Sequence, residues 1–277
     1  MTPVAHLVPD KIGGVTVGRA TLHNEDEIKR KDIKIGDTVL VQRSGDVIPE
    51  VVKVITTKRT GKERTFNRPL SCPVCDSSVI RSENEAALRC INTSCPAQVK
   101  ERIKHFASKG AFDIDGLGEK LIEQLVDKDL LFSYADIFQL KEDMLKNLER
   151  MGSKSAGNIV REIEDSKRIT LHRFIYALGI RHVGEHVAGI LTNALKSFDK
   201  LRCAKSDELV AIDGVGPVVA ESIVEFFKKN ENQKIVYDMM TSGVQIFQDN
   251  ADKQDTLAGK IFVLTGTLET LTRSEAK

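Results

Sequence analysis

Residues 72–96 read CPVCDSSVIRSENEAALRCINTSCP and hold four of the chain's five cysteines. The spacing is Cys72-x2-Cys75, fourteen residues, then Cys90-x4-Cys95, the second pair being wider than the commonest x2. A tetrahedral Zn²⁺ takes four soft donors at about 2.3 Å, and each short loop can present two thiolates to it. The pattern predicts a zinc ribbon over residues 69–98 with Cys72, Cys75, Cys90 and Cys95 as ligands. Four protein ligands leave no open position for substrate, so the ion is structural. Pro73 and Pro96 stiffen the chain beside two of the ligands. The alternative is two disulfides. The N-terminus MTPVAHLVPDKIGG has neither basic head nor apolar h-region, which points to a reducing compartment and therefore to metal. Cys203, in LRCAKS, stands alone and is read as a small buried hydrophobe.

This clamp divides the chain into two halves of different pattern. Residues 1–68 read as short strands broken by turn signals. DTVLVQRSGDVIPEVVKVITT holds two β-branched runs joined at Ser44-Gly45-Asp46, a hairpin signal. With GGVTVGRATLHN before it and the charged interruption NEDEIKRKDI, the half suits a small all-β barrel of the OB or SH3-like kind. The stretch Lys53 to Arg68 carries six basic residues and one acid, Glu63. It is either a solvated loop or a phosphate contact.

From residue 99 the period becomes helical and a four-fold repeat appears. DIDGLGEKLIEQL, LERMGSKSAGNIV, IRHVGEHVAGIL and IDGVGPVVAESIV align on Gly118, Gly152, Gly184 and Gly216, spaced 34, 32 and 32 residues. Four residues after each glycine stands Ile122, Ala156, Ala188 or Ala220, and seven after stands Leu125, Ile159, Leu191 or Ile223. Apolar residues at +4 and +7 give one buried stripe on a helix that opens just after the glycine. The unit is helix, glycine turn, helix; a helical solenoid of similar period is the competing architecture. A glycine turn opening a helix exposes main-chain N–H groups at a positive dipole end, which suits a phosphate. Lys120, Lys154 and Lys205 lie nearby in sequence. The first turn glycine is Gly116 or Gly214 in the outer units but Arg150 and His182 in the inner ones. Those two turns are either distorted or reach phosphate through the side chain.

The formal net charge is +1, so strong general polyanion binding is not expected and any nucleic-acid contact must come from local patches or backbone groups. HVGEH at 182–186 matches a metalloprotease motif, but Gly184 interrupts the helix that chemistry needs. Near either end the longest apolar run is Ile261–Leu264, too short for a membrane span. Residues 258–277 read as a strand, a Thr265-Gly266-Thr267 turn and the start of a polar helix. Both ends are expected to be cuts through longer domains.

TPVA, GGVTVGRATLHNEDEIKRKDIKIGDTV, RSGDVIPEVV, the cysteine spacing, DIDGLG and ALGIRHVG resemble the C-terminal half of bacterial NAD-dependent DNA ligases. The match runs in order over essentially the whole chain. The resemblance implies a multi-domain fold: an OB-fold domain over 1–68, the four-cysteine zinc ribbon over 69–98, an all-α helix-hairpin-helix domain over 99–250, and the truncated α/β start of a BRCT domain over 258–277. It implies an enzyme that adenylylates a lysine from NAD, passes AMP to the 5′-phosphate of a nick and closes the backbone in replication and repair. Nicked double-stranded DNA is then the partner, the location is the bacterial cytoplasm at the nucleoid, and no membrane is involved. DNA contacts are expected at Arg19, Arg43, Gly116, Gly118, Lys120, Gly152, Lys154, Gly184, Gly214 and Gly216. The family's Lys-x-Asp-Gly nucleophile motif is missing, so no catalytic residue is assigned and activity of this chain alone is left undecided. NAD, Mg²⁺ and the adenylylation domain belong to the parent enzyme. The alternative is a non-catalytic DNA-binding or repair accessory protein built from the same modules, and a weaker one is a zinc-ribbon RNA binder.

Overall fold

A computed structural model of the chain describes residues 1–44, 48–81 and 87–248. The BRCT-like stretch at 258–277 lies outside the described residues, as does the Gly45-Asp46 turn.

The N-terminal module runs β1 (Val4–Ile12), β2 (Val15–Thr21), α1 (Glu25–Arg30), β3 (Lys34–Ile35), β4 (Val39–Ser44), β5 (Ile48–Val54) and β6 (Arg64–Thr65). The main sheet has the order β1-β2-β5-β4. β1 and β4 pair antiparallel with β2 and β5, and the two hairpins meet through Thr21 and Glu50. The charged interruption is a helix. Asn24 caps it, its side chain accepting from the Glu27 amide at 2.9 Å, and acids fill its first turn where the dipole favours them. Ile28 then packs into a small core with Val17, Ala20 and Val51. A complete OB barrel has five strands; this sheet has four, with β1 and β4 as edges. A cavity of about 730 Å³ opens in this module, lined by Leu22, Ile28, Ile33, Val39, Val51 and Phe66 among others.

Two arginines of the basic Lys53–Arg68 stretch serve the fold. Arg59 donates from Nε and Nη2 to the Asp37 carboxylate at 2.7 and 2.9 Å and from Nη1 to Asp32 at 2.6 Å. Arg68 lies 3.7 Å from Glu25. The Asp37 side chain is only 1% exposed, and the Arg59 hydrogen bonds hold its carboxyl below the ordinary range. A depressed carboxylate contributes stability that is present above its unfolded pKa, about 3.9, and lost as pH falls through the folded value. The melting temperature followed by circular dichroism is therefore expected to fall as pH drops below about 4. Asp37→Asn should melt lower at neutral pH and lose less on acidification; equal pH profiles would refute this role.

Among its described residues the zinc segment has one strand pair, β7 (Val79–Ile80) with β8 (Arg89–Cys90). The helical half follows: α2 (Pro96–Ala107), α3 (Glu119–Asp127), α4 (Glu142–Leu145), α5 (Ser153–Ser166), β9 (Arg168–Thr170), α6 (Leu171–Ala177), α7 (Glu185–Leu195), α8 (Phe198–Cys203), α9 (Ser206–Val210), α10 (Pro217–Lys228), α11 (Asn230–Thr241) and β10 (Gln245–Phe247). The second helices of the four units are α3, α5, α7 and α10, and every +4 and +7 residue of the repeat is buried. One core extends from Val99 to Val244. Its spine is a run of ring contacts: Phe106 on Phe112 at 4.1 Å, Phe112 to Phe174 at 6.3 Å, Phe174 to Phe198 at 5.0 Å and Phe198 to Phe227 at 5.9 Å. β10 pairs in parallel with β9, tying the end of the fourth unit to the end of the second. A solenoid's repeats touch only their neighbours; this closure makes the four units one body.

Candidate metal centre and nucleic-acid interface

The four cysteine sulfurs all lie within 4.8 Å of one another. Cys72 and Cys95 are 3.9 Å apart and Cys75 and Cys90 3.5 Å. A tetrahedron with 2.3 Å Zn–S bonds has edges of about 3.8 Å, whereas a disulfide needs about 2.05 Å. The donor set and its spacing fit zinc and exclude the disulfide reading. Each pair sits on a local turn. The Asp76 amide donates to the Cys72 carbonyl at 2.9 Å, and the Cys95 amide to that of Asn92 at 3.1 Å. Burial pushes the Cys90 thiol up to about 11 and raises Cys95, while hydrogen bonds from Ser77 hold Cys75 down to about 6. Zinc must displace the protons that burial favours.

Cys95 does a second job. It is the residue before α2, and Pro96 takes the first helical position, where a missing N–H costs nothing. Val99, Ile103 and Phe106 of that same helix belong to the helical core. The metal centre is thereby joined to the repeats through a continuous helix, and the 98/99 division falls inside it. The second knuckle also meets α11, since Thr93 donates to Glu231 at 3.1 Å, and it is tied to α2 by Arg102, which donates to the Thr93 carbonyl.

The four repeat glycines are N-caps of α3, α5, α7 and α10, with φ between −80° and −95°. No side chain caps any of these helices. A Cβ on Gly118, Gly152, Gly184 or Gly216 would meet nothing within 4 Å. Four helix starts therefore present open amides, the fourth with one fewer because Pro217 lacks an N–H. Two residues earlier the chain is left-handed in all four units: φ is 81° at Gly116, 61° at Arg150, 63° at His182 and 84° at Gly214. The inner turns are not distorted; they keep the glycine conformation with a side chain in place.

Lys120 and Lys154 both occupy the second helical position, on α3 and α5. Lys205 instead precedes α9, the first helix of its unit, away from the Gly216 turn in sequence. Arg19 is exposed on β2 opposite His6. Arg43 on β4 is half-buried, with Nη1 3.5 Å from the Gly13 carbonyl. Cys203 is exposed at the end of α8, correcting the expectation of a buried thiol: Leu201, two residues back, faces the core instead. The HVGEH residues form no metal cluster. His182 lies in the turn and His186 in the first turn of α7, and the four cysteines are the one candidate metal group among the described residues. No helix among them is long and apolar enough to cross a membrane.

These features define a zinc-stapled chain of OB and helix-hairpin-helix domains. Residues 1–63 match the family described as NAD-dependent DNA ligase OB-fold domain, and residues 71–97 match the NAD-dependent DNA ligase C4 zinc finger domain. Residues 111–165 match a SAM-like helix-hairpin-helix tandem and 173–236 a helix-hairpin-helix motif. The whole chain is 56% identical to a DNA ligase of Desulfosudis oleivorans, 51% to one of Syntrophus aciditrophicus and 52% to one of Halothermothrix orenii. It spans 41%, 41% and 42% of those relatives' lengths. Residues 1–63 and 71–97 thus carry the OB-fold and zinc-finger domains of NAD-dependent DNA ligases, and the chain matches the C-terminal part of these relatives.

Proposed function

We propose that this chain is the DNA-gripping portion of an NAD-dependent DNA ligase, holding nicked duplex for phosphodiester bond formation in the bacterial cytoplasm, at the nucleoid. The observation that carries the reading is the set of four uncapped, unobstructed glycine helix starts in a body stapled by zinc. Main-chain amides at helix N-termini bind phosphate without needing net positive charge, which reconciles DNA binding with a formal charge of +1. Gly116, Gly118, Gly152, Gly184, Gly214 and Gly216 shape the amide sites, while Lys120 and Lys154 add charge beside the first two helix starts and Arg19 and Arg43 carry charge on the OB sheet. Lys53, Lys58, Lys62 and Arg64, between β5 and β6 or at their ends, make no ion pair among the described residues and extend the basic surface of the OB module.

Adenylylation, transfer of AMP to the 5′-phosphate and closure by the 3′-hydroxyl require NAD, Mg²⁺ and a Lys-x-Asp-Gly nucleophile, which an adenylylation domain supplies. This chain contributes grip and orientation, and incubated alone with NAD it should form no covalent AMP adduct by mass spectrometry. Fluorescence anisotropy with a labelled nicked duplex tests the grip. Four basic side chains, Lys120, Lys154, Arg19 and Arg43, each neutralising one phosphate give a salt slope near −3.6, a loss of about 150-fold between 50 and 200 mM salt, while the neutral amides add affinity without slope. A flat salt dependence, or equal affinity for single-stranded RNA, would overturn the reading.

A further inference from the structure

The four turns differ in what their left-handed residue touches. A Cβ on Gly116 would stand 3.0 Å from Cγ1 of Ile159, which belongs to α5 of the second unit. A Cβ on Gly214 would stand 2.7 Å from Cδ1 of Ile190, on α7 of the third unit. The outer turns thus lie close against the second helix of the adjoining inner unit, and glycine is favoured there by the tight approach of an isoleucine side chain as well as by φ. The hairpins form two pairs, first with second and third with fourth, the same grouping that the two helix-hairpin-helix matches make.

At the inner turns the constraint is absent. Arg150 and His182 are exposed and hold φ of 61° and 63°, a conformation that glycine adopts without steric cost and a side chain does not. The Arg150 guanidinium has no hydrogen-bond or ion-pair partner among the described residues, and neither has the His182 ring. Nothing in the fold uses either group, yet each stands two residues before an open helix start.

Resting on the DNA-gripping reading above, we infer that Arg150 and His182 are phosphate-binding side chains of the inner hairpins. Each hairpin pair then holds the sugar–phosphate backbone by one bare main-chain turn, Gly116 or Gly214, and one basic side-chain turn.

The test replaces each residue with glycine, the residue its backbone prefers, in the zinc-loaded 277-residue chain. Arg150→Gly and His182→Gly should melt at or above the parent temperature. Arg150→Gly should nonetheless bind a nicked duplex about tenfold more weakly, with the salt slope shallower by about one. His182→Gly should lose less, and Arg150→Lys should keep the slope. A merely structural role predicts the opposite coupling, with affinity following melting temperature. If the parent binds and both glycine variants match its affinity and slope, this inference falls while the proposed function stands. If the parent itself shows no salt-dependent duplex binding, both fall.

Discussion

Cys95→Ser should abolish stoichiometric zinc and unfold residues 71–95, while the helical core from α2 onward stays folded. Among its described residues the zinc segment has two two-residue strands and no apolar core; the buried side chains there are the ligands Cys72 and Cys95, 4% and 1% exposed. Its folding free energy is the metal's, and structural zinc in comparable small domains is worth about 10–16 kcal/mol. A serine hydroxyl offers no soft thiolate, so three ligands and an open position remain, and the knuckle that hangs Thr93 on Glu231 loses its frame. The helical core keeps Ile103 and Phe106, both 0% exposed, on the far turns of α2. Metal analysis should fall from about one zinc per chain to well below half, new protease cuts should appear between residues 71 and 95, and the far-ultraviolet helical signal should hold. Retention of one zinc per chain in Cys95→Ser would remove that residue from the ligand set. Loss of the helical signal would mean that the metal also holds the repeats.

Much of this arrangement was legible because its determinants are local. A closed zinc site is written in ligand spacing, and the hairpin helices in one glycine followed by apolar residues at +4 and +7. The ligands lie within 23 positions of one another and the hairpin determinants within a dozen. The helix α1 was legible in principle: Asn24 followed by Glu27 is a helix-start signal. It reads in the sequence only as a charged interruption between strands, because Ile28 is its one buried residue and no apolar stripe marks the helix.

What stayed hidden depends on distant packing. β9 and β10 are three residues each and lie far apart in sequence, so neither carries a periodic signal. The undistorted turns at Arg150 and His182 run against local preference. Leu148 and Val183 are anchored in the core on either side of the problem, one before the first turn residue and one after the second, and the backbone follows them. Cys203 was misplaced because composition ranks cysteine as buried, whereas its face on α8 is decided by where Leu201 enters the core.

Gly214→Ala should destabilise the helical domain by about 3 kcal/mol, while Gly216→Ala, two residues on, should cost under about 1 kcal/mol. The first change forces a side chain into a φ of 84° and puts a Cβ 2.7 Å from Ile190 Cδ1. A non-glycine residue in the left-handed region costs about 1–2 kcal/mol, and overpacking adds about 1–3 kcal/mol, at the low end because the tip of an isoleucine can give way. At Gly216, φ is −81° and the space is open, leaving only the weaker capping preference. For a domain of this size the two melting temperatures should be separated by about 5–10 °C. Ile190→Val removes the colliding methyl, so Gly214→Ala/Ile190→Val should lose less than the sum of its parts by about 1 kcal/mol. The residual cost is the backbone strain alone. DNA binding separates the glycines in the other sense: Gly216→Ala, nearly silent in stability, places a methyl over the amides of α10 and should weaken the duplex complex more than its melting temperature suggests. Equal stability costs at the two positions would mean that Gly214 does not bear on Ile190, and that the pairing of the third and fourth hairpins rests on other contacts.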